Sequence, residues 1–150
     1  MKKKIVVVGI GNLLLGDEGF GIRVVEELRK LKLPENVEVH DGGTLGLQIL
    51  NFLDNADFAI IVDVVKAKGK PGQLFVFEIN DAKSKPMLSM HDLDLVKAVE
   101  IGKFAYNLPE KIVVVGVEPE KIEESLELSE EVRKAIPKAV SKVLELISSA

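Results

Sequence analysis

The chain has 150 residues, 47% of them hydrophobic, which suits one globular domain over residues 1–150 with a single sheet covered on both faces. A formal net charge of -4, with a basic block only at Lys2, Lys3 and Lys4, argues against nucleic acid as a partner. The absence of cysteine excludes disulfides, thiolate metal sites and a cysteine nucleophile.

In chain order, Ile5, Val6, Val7 and Val8 form a β-branched run of the kind buried on both faces of a parallel sheet. The run leads into Gly9-Ile-Gly-Asn-Leu-Leu-Leu-Gly-Asp-Glu-Gly-Phe-Gly21, a strand-loop-helix junction rich in glycine. A helix is expected over 17–31, capped by Asp17, with Ile22, Val25, Leu28 and Leu31 toward the core and Pro34 closing the region. Residues 37–41 alternate as a second strand, Gly42 and Gly43 turn, and a helix is expected over 45–53. A third strand, 58–65, is apolar except for Asp63. The connection 66–72 is too short for a parallel crossover, so the next strand, 73–79, should run antiparallel to its predecessor. A loop with Pro86 precedes a helix over 90–104, a strand over 112–117, a short helix over 120–126 and a last helix over 129–147 that contains Pro137. The pattern is an α/β class, a three-layer α/β/α sandwich with a mixed, mostly parallel sheet of about five strands. No run approaches the roughly 20 apolar residues of a membrane span. No secretory leader pattern is seen, so no membrane partner and a cytoplasmic location are expected.

In open α/β sheets, ligands bind beyond the carboxyl ends of the strands where strand order reverses. Glu18 follows strand one, Asp41 ends strand two and Asp63 lies near the end of strand three, so three carboxylates are expected on one rim. His91 is the fourth candidate. Ser89 can cap its helix with Asp92 at N3, which places His91 in the first turn, where the helix dipole disfavours the imidazolium and leaves a neutral ligand. His40 should point away from Asp41 across its strand.

Each residue also has a structural reading. Asp17 can simply cap a helix, Glu18 can favour the dipole, Asp41 can hold the Gly42-Gly43 turn and His91 can be a surface residue. Asp63 resists such a reading, because a carboxylate in a buried apolar strand is costly. Two carboxylates and an imidazole suit a divalent first-row metal such as nickel, zinc or manganese, with positions left open. The His-Glu-x-x-His and Gly-x-Ser-x-Gly signatures are absent.

The ordered set of the glycine-rich segment through Ile22-Arg23, Asp41-Gly-Gly-Thr-Leu-Gly46, Val62-Asp63, Ser89-Met-His91, Val117-Glu-Pro119 and Leu126-Glu-Leu-Ser129 resembles the successive motifs of the hydrogenase maturation endopeptidases. The resemblance runs over nearly the whole chain. It implies an α/β/α fold and an endopeptidase that removes a C-terminal extension from the nickel-iron hydrogenase large-subunit precursor once nickel is installed. It further implies that the metal-binding positions fall on Glu18, Asp63 and His91, which are also the catalytic candidates. Asp41 is a further candidate for orienting substrate or acting on water. The nickel is expected to arrive with the substrate, and other divalent metals can occupy the same ligands. Two other functions fit parts of the pattern. One is a non-catalytic nickel chaperone of the same subunit. The other is a dinucleotide-binding domain, which the Gly9-x-Gly11 pair favours but Leu14 and the acids Asp17 and Glu18 oppose.

Overall fold

The computed structural model describes residues 2–44, 48–81, 86 and 88–150, with the side chains of Met90 and His91 outside that description. Five strands form one sheet: β1 (Ile5–Gly9), β2 (Val37–Asp41), β3 (Phe58–Val64), β4 (Leu74–Glu78) and β5 (Lys111–Val117). Four α-helices accompany them: α1 (Phe20–Arg29), α2 (Gln48–Leu53), α3 (Met90–Gly102) and α4 (Glu130–Ser149). The strand order is β2-β1-β3-β5-β4, with β4 antiparallel to β5 and the other pairings parallel.

The β-branched runs become the interior strands. Every residue of β3 is buried, and strand alternation sends its side chains to two separate cores. Val6, Val8, Ala59 and Ile61 pack under Leu50 and Leu53 of α2 and Val96 and Val99 of α3. Ile5, Val7, Ile60 and Val62 pack under Phe20, Val24 and Leu28 of α1 and Ala135, Ala139 and Val143 of α4. The three layers follow from this division: each helix pair covers the apolar face that one half of the alternation presents.

Gly21 lets α1 lie directly over the sheet. A Cβ there would collide with the backbone carbonyl oxygens of Ile10 and Val62, at the end of β1 and beside it in β3. The close approach of helix to strands at this point requires glycine.

Three expectations change, and one is refined. The helix expected from Asp17 instead opens with a 3-10 turn, Gly16–Gly19, and α1 ends at Arg29, so Leu31 lies beyond it and is 45% exposed. The strand β4 does run opposite to β3, yet β5 lies between them and takes the pairing. The expected helix over 120–126 does not form. That segment bends and is held instead by the loop after β1, through a parallel bridge between Leu15 and Ser125. Asp17 does not cap α1; its side chain has distant partners, described below. The first residues of the expected helix 45–53 lie outside the described residues.

Candidate active site

The order of the strands reverses between β1 and β3, and a cavity of about 300 Å³ opens at their carboxyl ends, where this architecture binds ligands. Ile10, Gly11, Asn12, Leu15, Glu18, Thr44, Asp63 and Lys66 line it. The last paired residues of the two strands are Gly9 and Val62, so Asp63 stands one position past the point where β1 leaves the sheet. It shares its face of β3 with Ile61 and Val65, the face covered by α3.

Asp63 is 5% exposed, and its Oδ1 accepts a 2.7 Å hydrogen bond from the N–H of Val64. Burial pushes its carboxyl well above the usual aspartate range, the charges of Glu18 and Asp92 push the same way, and the Val64 N–H opposes them. A cation beside this carboxylate would relieve both the desolvation and the repulsion.

Glu18 reaches the cavity because its neighbour is tied elsewhere. Asp17 is 1% exposed, and its carboxylate accepts hydrogen bonds from the N–H groups of Glu120 at 2.9 Å, Lys121 at 2.8 Å and Ser129 at 2.7 Å, and from the Ser129 hydroxyl at 2.9 Å. The adjacent carboxylates thus divide their tasks. Asp17 clasps the loop between β5 and α4, and the 3-10 turn leaves Glu18 half-buried on the cavity wall. Backbone contacts fix that turn: the N–H of Asn12 donates to the Glu18 carbonyl at 3.1 Å, and the N–H of Gly11 donates to the Gly43 carbonyl at 2.8 Å. A Cβ on Gly11 would collide with the Glu18 carbonyl oxygen, so glycine is required for this approach.

The helix bearing His91 is docked on the same rim through Asp92. Its Oδ2 accepts from the N–H of Lys66 at 2.9 Å and from the Ser89 hydroxyl at 2.8 Å, while the Asp92 N–H donates to Ser89 Oγ at 3.3 Å. The capping box expected here keeps Ser89 as N-cap but turns the acid toward the segment that follows β3. His91 lies in the first turn of α3, next to this anchor, and its side chain lies outside the described residues. Among the described residues no three His, Asp or Glu side chains converge to hold a metal ion.

Asp41 is placed differently. It ends β2 with its side chain exposed, and Oδ1 accepts a 2.8 Å hydrogen bond from the N–H of Gly43, which closes the turn that follows. It does not line the cavity with Glu18 and Asp63. His40 stacks on Phe52 with ring centroids 4.7 Å apart and contacts Glu38 at 3.0 Å. The hydrogen bond with His40 holds the Glu38 carboxyl below its usual range, against a smaller effect of burial, and Lys4 contributes in the same direction as His40.

Glu118 has a role that the sequence pattern did not disclose. This 7% exposed carboxylate accepts from the N–H groups of Ala67 at 2.9 Å and Gly69 at 2.7 Å. With Asp92 on the N–H of Lys66, it fixes the loop that begins one strand-end beyond Asp63. The available signal was an acid placed directly after the wholly apolar stretch of β5, in the manner of Asp63 within β3.

Comparison with known proteins gives concordant matches. A family model described as hydrogenase maturation protease matches residues 22–146. The hydrogenase 2 maturation protease of Escherichia coli is 36% identical over 145 residues, covering 94% of this chain and 88% of that protein. The solved structure of a hydrogenase maturating endopeptidase from Escherichia coli superposes with a TM-score of 0.84 at 34% identity, covering 97% of this chain and 93% of the other. A hydrogenase 2 maturation peptidase from a Thaumarchaeota archaeon superposes with a TM-score of 0.73 at 35% identity, covering 97% and 98%.

Proposed function

Because the chain belongs to the hydrogenase maturation protease family and is thus a peptidase, we propose that it removes the C-terminal extension of the nickel-iron hydrogenase large-subunit precursor after nickel insertion. The observation that carries this reading is the pairing of Glu18 with buried Asp63 on one cavity, while Asp17 beside it is fully engaged in hydrogen bonds.

Glu18, Asp63 and His91 are the groups that would meet the nickel held by the precursor. Two carboxylates and an imidazole suit a divalent first-row metal and leave positions for ligands supplied by the substrate. Nickel in that setting supplies a Lewis acid able to polarise a carbonyl or to acidify water. The chain's own contributions are to bind and to orient. Asp63 offers a carboxylate whose ionic form gains from a cation, since among the described residues the Val64 N–H is the group that compensates its charge. The 3-10 turn presents Glu18, and the Asp92 anchor brings α3 to the rim. Recognition of the metal would then act as the check that maturation has reached the right stage.

The test is to incubate the chain with nickel-loaded and nickel-free large-subunit precursor and follow the precursor's mass. Loss of the C-terminal peptide from the loaded form alone is expected. Cleavage that ignores nickel would remove the metal check, and binding without cleavage would leave a chaperone.

A further inference from the structure

Two leucines beside the cavity are exposed where the backbone carrying them is firmly held. Leu14 and Leu126 are each 64% exposed, and they line, with Asn12, Leu15, Glu124 and Ser125, a groove of about 480 Å³. Asn12 and Leu15 also line the cavity of Glu18 and Asp63, so the groove adjoins it.

The frame is fixed from both sides. The Ser125 N–H donates to the Leu14 carbonyl at 3.0 Å, the Gly16 N–H donates to the Ser125 carbonyl at 2.8 Å, and Arg23 Nη2 donates to the Leu126 carbonyl at 3.0 Å. The Leu14 N–H in turn donates to Asn12 Oδ1 at 2.9 Å. Neither leucine can fold back onto the core without breaking these bonds, so both remain in water until something covers them.

The charge of the groove narrows what that occupant can be. Glu124 lines it, and Glu123 and Glu127 flank it in sequence. Among the described residues none that lines it is cationic, and the nearby guanidinium of Arg23 is turned to the Leu126 carbonyl and to Glu26. An acidic segment would be repelled, whereas a segment with an aliphatic side chain next to a basic one satisfies both the leucines and Glu124.

We propose that this groove seats a stretch of the hydrogenase precursor's C-terminal extension, removed from the scissile bond, that carries an aliphatic residue beside a basic one. The inference rests on the function proposed above. The groove acts in binding and holds the substrate chain so that its other end enters the cavity.

The test compares cleavage of nickel-loaded precursor by the wild-type chain and by Leu14→Asp, Leu126→Asp and Glu124→Lys, with Leu31→Ser as a control at an exposed leucine outside the groove. Each groove variant is expected to raise KM by about tenfold or more while kcat stays within about twofold, as loss of uniform binding requires. Reversing the charge of the basic residue in the precursor should restore KM for Glu124→Lys. Unchanged KM in the groove variants, or an equal rise in Leu31→Ser, overturns the proposal while leaving the protease reading intact. So does a dimer of the wild-type chain that Leu126→Asp dissolves without altering cleavage, because a second copy is then the occupant. Failure of the wild-type chain to cleave any loaded precursor overturns the function first and the groove with it.

Discussion

The carboxylate of Asp17 holds Ser129 twice, accepting from its N–H at 2.7 Å and from its hydroxyl at 2.9 Å across 112 residues of chain. With the N–H groups of Glu120 and Lys121 on the same carboxylate, one side chain closes the loop between β5 and α4 onto the loop after β1. Its neighbour Glu18 makes no such clasp among the described residues and lines the cavity.

This division predicts opposite phenotypes for adjacent acids. Asp17→Ala removes the one buried carboxylate that accepts from three N–H groups and the Ser129 hydroxyl, and should cost about 3 kcal/mol of stability. Glu18→Gln should change stability by less than about 0.5 kcal/mol and abolish cleavage. Urea unfolding of both variants, beside the precursor-cleavage assay, checks the pair. Equal destabilisation would contradict the assignment.

The proposed metal contact through Glu18, Asp63 and His91 predicts that His91→Ala behaves as Glu18→Gln does. Cleavage of nickel-loaded precursor should fall below detection while the far-ultraviolet circular dichroism matches the wild-type chain. A His91→Ala protein that still cleaves would exclude this residue from the site.

Asp63 predicts a pH dependence of stability. Its native pKa is raised, so between the ordinary aspartate range and that raised value the folded state keeps a proton that the unfolded chain releases. Stability from this group therefore falls as pH rises through that window and levels off above it. Asp63→Asn removes the titration and preserves the shape. The melting temperature of the wild-type chain should drop relative to Asp63→Asn as pH is raised, and parallel curves would show that the buried acid is ionised without penalty.

Glu118 predicts a local effect. Glu118→Ala removes the acceptor of the Ala67 and Gly69 N–H groups and should cost about 2 kcal/mol. Hydrogen exchange should rise at those two amides before it rises in β3. Protection that is unaltered there would mean that the loop is held by its other contacts.

Much of the fold was legible because strands and helices are written in local periodicity. The continuous apolar runs at Ile5 and Phe58 became interior strands, and the antiparallel direction of β4 followed from the short connection before it. The same local logic failed at residues 120–126. Their charged, helix-favouring composition yielded to Asp17 and to the Leu15–Ser125 bridge, partners more than a hundred residues away. Leu31 matched the helical spacing but fell beyond the end of α1. For the site, Glu18 and Asp63 were readable from strand ends, whereas Asp41, expected on the same rim, is held by the Gly43 N–H away from the cavity, and the long-range partners of Asp17 had no local signal.

The sequence by itself determined the layers, the sheet ends that carry the acids, and the family, since these rest on patterns within single elements and on the order of motifs. Only the tertiary structure decided which acid each task falls to. Asp17, Asp92 and Glu118 are bound to distant N–H groups and build the frame, whereas Glu18 and Asp63 are left on the cavity. The physical reason is that a carboxylate's role depends on the donors around it, and those donors come from segments that meet only when the chain has folded.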